Sequence, residues 1–370
     1  MGARRFLLSG CLFLLLGGVS RSAETPAAAS ASAFAPADSY QVTVLGDLHF
    51  DGEEFHQGPA VSQGRARERA RNLAMWKGPS HQLLETAAGQ TAGSSAFVIQ
   101  LGDIAQGDCE TGELQEAMLR GAFAAVKKYF PERPLLVVKG NRDVRRYKTQ
   151  NDPAPAKNAL LPLVAGELGT AVPEDGCFAV RKGKDLFIAA DGFVGAKRLL
   201  EFVSKTLADH PDCRYVFFLT HLPLLPVGKT MPFWLVPGYD ELAALLEKRH
   251  AVVLAAHTHT FSLVRRKNPQ GTLAQLITTS MGNTWNPEQK LEGRGDYAAY
   301  VALVEAKEKV RERFSELMAR GEYSGQFFKA RSGFTVLDID DRRVEARIYT
   351  GNTGKPAFTA VLTERVPAAK

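Results

Sequence analysis

Seven side chains with metal-binding chemistry follow five apolar segments of this sequence. The segments read QVTVLG, AFVIQL, LLVVK, YVFFLT and AVVLAA, and each is followed within a few residues by a carboxylate, an amide or an imidazole. Such groups suit Mn, Fe, Zn, Co or Ni, and the lack of cysteine among them argues against a structural zinc site. The candidate metal ligands are Asp47, His49, Asp103, Asn141, His221, His257 and His259.

The five apolar segments are predicted to be β-strands whose carboxyl ends share one crevice. In α/β proteins, ligands bind beyond the carboxyl ends of the strands, and glycines before the candidate ligands permit sharp turns there. Two metal ions about 3.5–4 Å apart need a bridging carboxylate and several terminal ligands. We expect Asp47-x-His49 and His257-x-His259 to be extended, so that alternate side chains point to the same side.

Segments with helical periodicity separate these strands, which indicates a layered α/β architecture with βαβ units. Helices are predicted at residues 64–75, 80–88, 112–129, 195–210, 239–249 and 300–320. Further strands are predicted at 178–181 and 186–190, around 261 and 276, and at 334–339, 344–349 and 358–363. No Pro/Gly-rich linker interrupts this pattern, so we predict a single domain over residues 40–366.

The N-terminus resembles an export signal. Arg4 and Arg5 precede an uncharged apolar run over residues 6–19, which is too short to span a bilayer. Small residues near position 23 suit cleavage, so we predict a signal peptide over 1–23 and an Ala/Ser/Pro-rich spacer over 24–39. The protein is then periplasmic or secreted. Lipoprotein anchoring through Cys11 is the alternative, and the sequence predicts no transmembrane helix.

Charge and cysteine content exclude some classes of function. The formal charge of the full chain is +6, and removing the three arginines of the signal leaves +3, so the sequence carries no nucleic-acid signal. Export permits disulfides, but Cys109, Cys177 and Cys213 are an odd number, so at most one internal bridge forms. The sequence leaves the oligomeric state open.

The ligand blocks resemble those of the calcineurin-like metallophosphoesterase superfamily. The resemblance covers residues 42–260 and implies a four-layer α/β/β/α sandwich of two mixed sheets, with a metal site at the C-terminal ends of strands. The blocks that carry it are Asp47-x-His49, Gly102-Asp103, Gly140-Asn141-x-Asp143, His221 and His257-x-His259.

The resemblance also implies a role for each ligand. Two divalent metal ions are expected, with Asp103 bridging them. Asp47, His49 and His259 would hold the first ion, while Asn141, His221 and His257 would hold the second. The implied reaction is hydrolysis of a phosphate mono- or diester of a small-molecule or macromolecular substrate by a metal-bound hydroxide.

One departure from the superfamily concerns catalysis. Members usually carry His after the Asn of the third block, where this chain has Arg142. Arginine stays charged near neutral pH, so it cannot act as a general acid, but it can bind phosphate oxygens in a bidentate manner. We predict that Arg142 binds the substrate phosphate and stabilises the transition state. The alternatives are an Arg142 that points away into a salt bridge, an inactive or binding-only relative, and a hydrolase acting on another bond.

A second departure concerns the metal. Purple acid phosphatases place an iron-binding Tyr three residues after the bridging Asp, and here that position is Gln106. The sequence therefore predicts a metal pair without a ferric tyrosinate.

Overall fold

Two β-sheets form the centre of this molecule. The computed structural model describes residues 38–148, 151–227, 235–282, 295–328 and 332–365. The first sheet has the strand order β14-β13-β12-β1-β2-β3, with β1, β2 and β3 parallel to one another. Its strands are β1 (Tyr40–Leu45), β2 (Ser95–Gln100), β3 (Leu135–Val137), β12 (Gly333–Ile339), β13 (Arg343–Thr350) and β14 (Pro356–Glu364).

The second sheet has the order β10-β11-β8-β9-β7-β6-β5-β4. Four adjacent strands, β5, β6, β7 and β9, run parallel, and the outer pairings are antiparallel. Its strands are β4 (Phe178–Lys182), β5 (Asp185–Ala189), β6 (Val216–Leu219), β7 (Val252–Ala255), β8 (Phe261–Asn268), β9 (Gly271–Ile277), β10 (Gly295–Asp296) and β11 (Glu322–Phe328).

Helices cover the outer face of each sheet. In the chain order they are α1 (Gln63–Trp76), α2 (Pro79–Thr91), α3 (Gly112–Tyr129), α4 (Leu161–Leu168), α5 (Ala196–Asp209), α6 (Tyr239–Glu247), α7 (Tyr297–Glu305) and α8 (Glu308–Met318). Residues of α2, α3 and α4 share one buried cluster with the first sheet. Residues of α5 to α8 share another with the second sheet. The predicted four-layer α/β/β/α sandwich is confirmed.

Alternate side chains of β5 point to opposite faces of the second sheet and pack into two different layers. Leu186 and Ile188 pack among the helices, while Phe187 and Ala189 face the first sheet. Phe187 lies edge-on to Phe97 of β2, with ring centroids 5.1 Å apart, and stacks on Phe217 of β6 at 4.4 Å. This aromatic contact joins the two sheets.

The predicted single helix over 300–320 is wrong. The chain forms α7 and α8, which are separated by an extended Lys307. Val304 and Phe314 are both fully buried, yet ten residues of a continuous helix would turn them about 80° away from a common face. The break lets both residues enter the same core. The sequence pattern also missed β11 and α4.

The sequence also led to predictions about the cysteines, membrane-spanning helices and the N-terminal signal. Cys109, Cys177 and Cys213 are all free thiols. In the part of the chain that the structure describes, no helix is long and apolar enough to cross a membrane. The predicted signal, Cys11 and most of the spacer lie outside the described residues.

We predict that Phe187→Ala destabilises the protein by about 3–5 kcal/mol, because it removes a fully buried ring between the sheets and leaves a cavity. Urea unfolding followed by circular dichroism measures the change in the free energy of unfolding. Phe193→Ala is the matched control, since this ring is 39% exposed and its loss is expected to cost less than about 0.5 kcal/mol. Equal losses in the two variants would contradict an aromatic joint between the sheets.

Candidate metal centre

The structure brings all seven predicted ligands together where parallel strands of both sheets end. Asp47, Asp103 and Asn141 follow β1, β2 and β3, while His221 and His257 follow β6 and β7. The two sheets meet at this edge through a bridge between Gly46 and Ser280. The site therefore lies in a crevice between the sheets, at the carboxyl ends of their strands.

One group of ligand atoms comes from Asp47, His49 and His259, which lie within 4.8 Å of one another. The Nε2 atoms of the two histidines are 3.3 Å apart, and Nε2 of His259 is 3.9 Å from Asp47 Oδ1. The Asp47 carboxylate also accepts the backbone N–H of His257 at 3.1 Å through both oxygens. Two facing imidazole nitrogens and a buried carboxylate fit a cation between them.

A second group consists of Asp103, His221 and His257. Nε2 of His221 is 3.1 Å from His257 Nδ1 and 3.5 Å from Asp103 Oδ1. Asn141 belongs here as well, since its Oδ1 lies 3.1 Å from His221 Nε2. This set combines one carboxylate, one amide oxygen and two imidazoles.

The Asp103 carboxylate lies between the two groups. Its Oδ1 faces His221, and its Oδ2 is 3.9 Å from Nε2 of His49. The backbone N–H of Arg142 donates to Oδ1 at 2.6 Å, which fixes the orientation of the carboxylate. One oxygen directed at each group is the arrangement that a bridging ligand requires.

The expectation of extended ligand segments is wrong. Asp47, His49, Asp103, His257 and His259 all have positive φ, between 37° and 69°. Residues other than glycine rarely adopt this region, and its cost is tolerated where the surroundings hold the backbone in place. Left-handed turns therefore direct these ligands into the crevice.

Two glycines allow the loops to approach each other closely. A Cβ at Gly140 would lie 2.1 Å from the backbone nitrogen of Asp103, and one at Gly102 would lie 2.6 Å from Nδ1 of His221. Gly102 also has a φ of 88°. Any side chain at these positions would separate the bridging carboxylate from its partners.

A hydrogen bond to the backbone fixes the orientation of the His221 ring so that Nε2 can bind a metal ion. Its Nδ1 lies 2.8 Å from the carbonyl oxygen of Leu101, which can only accept, so Nδ1 carries a proton and Nε2 faces the site. Burial lowers the pKa of His221, but the Asp103 carboxylate outweighs this effect and raises it to about 9. The negative charge of Asp103 that favours a proton at Nε2 also favours a metal cation there, and a metal ion would displace that proton on binding.

The other ligands respond to the same burial. Burial, followed by the charge on His221, lowers the pKa of His257 to about 3, which keeps its imidazole neutral near pH 7. Burial raises the pKa of Asp47 and would also raise that of Asp103, yet the charge of His221 holds the pKa of Asp103 well below its usual range. Neutral imidazole and ionised carboxylate are the forms that bind metal ions.

Asp143 ties two ligand loops together from behind. Its carboxylate accepts the backbone N–H of Ala105 at 3.0 Å and that of Gly140 at 2.7 Å. The side chain is fully buried, and burial, followed by the charge on Asp103, raises its pKa to about 7. The sequence placed Asp143 in a ligand block without giving it a role.

A buried ion pair links the two sheets beside the site. Lys139 Nζ lies 2.6 Å from Asp191 Oδ2, and both side chains are nearly inaccessible. Lys139 follows β3 of the first sheet, and Asp191 follows β5 of the second. Each charge satisfies the other, so breaking the pair would leave an unpaired charge in the interior.

Arg142 lies in a partly exposed ion pair beside the candidate ligands. Its guanidinium contacts Glu68 Oε1 of α1 at 2.6 Å, which is the salt bridge that the sequence left open as an alternative to phosphate binding. Arg65 and Arg145 also approach Glu68, at 3.0 and 3.7 Å. Glu68 has no distinguishing signal in the sequence, because it is one charge among many in a polar helix.

Gln106 connects this arginine cluster with the ligands. Its side-chain amide lies 2.9 Å from Nδ1 of His49. With its amide oxygen towards His49, Gln106 accepts the Nδ1–H, which leaves the lone pair of Nε2 directed at the site; the opposite amide orientation would place the oxygen 3.3 Å from Arg142 and 3.1 Å from Arg145. A neutral amide, rather than a phenol, therefore stands beside His49.

Comparison with known proteins identifies the fold. No protein-family model matches the sequence, and a search of the curated proteins finds no match. Among solved structures, the chain is similar to a purple acid phosphatase from yellow lupin (Lupinus luteus), with 14% identity and a TM-score of 0.51. That match covers 87% of this chain and 53% of the lupin protein, so the chain spans about half its length.

Two other solved structures are similar over nearly their whole lengths. A dimetal phosphatase from Danio rerio has 12% identity and a TM-score of 0.53, with 88% of this chain and 98% of that chain covered. GAP50, the anchor in the inner membrane complex of Plasmodium, has 10% identity and a TM-score of 0.51, with 90% and 91% covered. The chain has the fold of the calcineurin-like metallophosphoesterases, as the sequence blocks predicted.

We predict that Asp143→Asn weakens metal binding by about 10–100-fold, because an amide nitrogen would face a backbone N–H and loosen the ligand loops. Calorimetric titration of the chelator-treated protein with Mn²⁺ measures this affinity. Asp152→Asn is the control, since that carboxylate is partly exposed and pairs with Arg146 outside the site. Unchanged affinity in Asp143→Asn, in a variant with native circular dichroism, would contradict the role of Asp143.

Proposed function

We propose that this chain is a dinuclear metal-dependent phosphohydrolase that cleaves phosphate mono- or diesters. The observation that supports it most strongly is Asp103, whose two oxygens face two separate groups of nitrogen and oxygen ligands. The fold, which two solved phosphatases share, supports the same reaction class. Fold alone would not suffice, because one architecture hosts many functions.

The donor atoms fit two divalent ions of the Mn, Fe, Zn, Co or Ni class, since they combine imidazole, carboxylate and amide without thiolate. Asp47, His49 and His259 would hold one ion, and Asn141, His221 and His257 the other. Asp103 would contact both. Such ions, when bound, supply Lewis-acid activation of water and of the phosphoryl oxygens.

Arg142 is proposed to bind the substrate phosphate. Its backbone N–H is fixed on Asp103, so its side chain starts beside the bridging carboxylate. The guanidinium now pairs with Glu68, and both side chains are about one-fifth exposed. A phosphate dianion can replace the Glu68 carboxylate because both accept the same paired N–H groups.

The proposed setting of this activity is outside the cytoplasm. The N-terminal signal over residues 1–23 and the spacer over 24–39 support export to the periplasm or beyond, with lipidation at Cys11 as the alternative. A phosphorylated small molecule or macromolecule is the proposed substrate.

A binding-only protein is the second candidate function. The Arg142–Glu68 ion pair favours it, because a guanidinium already satisfied by a carboxylate gives up contact energy to bind phosphate. A neighbour of the same fold is described as an anchor. In this alternative the ligands hold metal ions and turnover is absent.

We predict that the Mn²⁺-loaded protein hydrolyses p-nitrophenyl phosphate or its bis-ester, and that Asp103→Asn lowers kcat by about 10³-fold. A neutral amide cannot balance two cations or present an oxygen to each. Chelator treatment should abolish turnover, and added Mn²⁺ should restore it. An aryl ester is chosen because its leaving group needs no general acid.

The matched control for this assay is Asp338→Asn, which removes a carboxylate that pairs with Arg347 and lies beside Gln41 at the start of β1, at the opposite end of that strand from Asp47. Its turnover should equal that of the wild type. Stoichiometric metal binding without turnover of either ester would overturn the enzymatic proposal and support the binding-only protein.

We predict that Glu68→Gln lowers KM for the aryl phosphate about threefold to tenfold, because Arg142 no longer has a charged competitor. Arg142→Ala should lower kcat/KM by about 10²-fold, with partial activity in Arg142→Lys. Steady-state kinetics separates these effects. Glu116→Gln is the control, since it breaks a more exposed arginine–glutamate pair with Arg120 on α3, outside the site. A kcat/KM that Arg142→Ala leaves unchanged would show that Arg142 serves the salt bridge alone.

A further inference from the structure

A basic groove lies at the opposite end of the second sheet from the candidate metal centre. Its volume is about 540 Å³, and its walls come from the β4–β5 turn, the segment before β6, the segment after α6 and the end of β14. The lining residues precede β6 and β7, whereas the metal ligands follow them. Tyr215 and His221 are six residues apart on an extended path, which is about 20 Å.

Positive charge dominates the lining. Five basic side chains border the groove, together with the acids Asp212 and Glu364 and the imidazole of His250. Asp212 is already 3.6 Å from Arg181, so part of its charge is directed elsewhere. The basic residues are Lys184, Arg214, Lys248, Arg249 and Arg365.

Several of these cations have no acidic partner among the described residues. Lys184, Lys248 and Arg365 are exposed and lack an ion pair in that part of the chain. Arg249 donates to backbone carbonyls, including that of His210 at 2.9 Å, which orient its guanidinium without neutralising it. Arg214 differs, because it is held by Asp185 at 2.6 Å.

Tyr215 adds an independent feature to the groove. The residue is 4% exposed, and its hydroxyl has no hydrogen-bond partner among the described residues. Burial raises its pKa to about 12, so the hydroxyl keeps its proton near pH 7. The Arg214 guanidinium stands over its ring, 5.2 Å from the centroid. A buried donor without a partner costs free energy, which a bound acceptor would recover.

We propose that this groove is a second binding site, separate from the metal centre, which takes a compact polyanion carrying phosphate or sulfate groups. Lys248, Lys184 and Arg365 supply the charge, Arg249 is oriented by its carbonyl contacts, and Tyr215 supplies a neutral donor. The inference does not depend on the proposed hydrolysis, since the groove contains none of the metal ligands.

Inositol hexasulfate is a suitable probe, because it is a polyanion without a phosphate ester bond. Calorimetric titration of the full, metal-loaded chain is expected to show one site, with neutral inositol giving no signal. Lys248→Glu should raise the dissociation constant about tenfold or more, since it reverses a charge facing the ligand. Lys309→Glu reverses an exposed lysine on α8 and should change it less than about twofold.

Two further variants separate this site from the metal centre. Arg142→Ala should leave hexasulfate binding unchanged, while Tyr215→Phe should weaken it in a protein that keeps its native stability. Absence of binding to the wild type would overturn the proposal. So would equal weakening by Lys248→Glu and Lys309→Glu, which would indicate a general charge effect. Loss of binding in Arg142→Ala would show that the polyanion binds at the metal centre and would also overturn the proposal.

Discussion

The structure of the site depends on one buried carboxylate that must be balanced from two sides. Asp103 is inaccessible, and an ionised group in the interior is costly unless charges or donors surround it. His221, His49 and the backbone N–H of Arg142 supply that balance. They can do so only because Gly140 leaves no side chain between the loops. The parallel strands of the two sheets end where this arrangement needs them.

The α/β sandwich and the candidate ligands could be predicted from the sequence, because both follow local patterns. Continuous apolar runs, each followed by a polar residue, placed Asp47 and Asp103 correctly at strand ends. Ion pairs between distant segments could not be predicted, because no residue near Glu68 or Lys139 in the sequence indicates that Arg142 and Asp191 are their partners. The helix prediction over 300–320 failed for a related reason, since packing on the second sheet, not propensity, breaks α7 from α8.

The rigid and the adjustable parts of the site come from different interactions. Asp143 and the Lys139–Asp191 pair hold the ligand loops from the buried side, where water does not compete. Beside the candidate ligands, Arg142 and Glu68 form a partly exposed pair that solvent weakens. Under the proposed function, a substrate phosphate would replace Glu68 at Arg142 without moving the candidate ligands. Gln106 touches both parts, since its amide lies against His49 and within reach of Arg142.

The order of the ligands along the chain has a consequence for how the protein matures. His49 and His259 belong to one group although 210 residues separate them, and the same separation joins Asp47 to His257. Contacts this remote form late, because the intervening chain must first be ordered. During synthesis, the N-terminal half presents Asp47, His49, Asp103 and Asn141 without the three C-terminal histidines that complete the two groups. Binding of the proposed metal ions would then be one of the last steps of folding. A chain cut directly after β7 would contain β1 to β7 yet lack His257 and His259, so neither group of ligands would be complete.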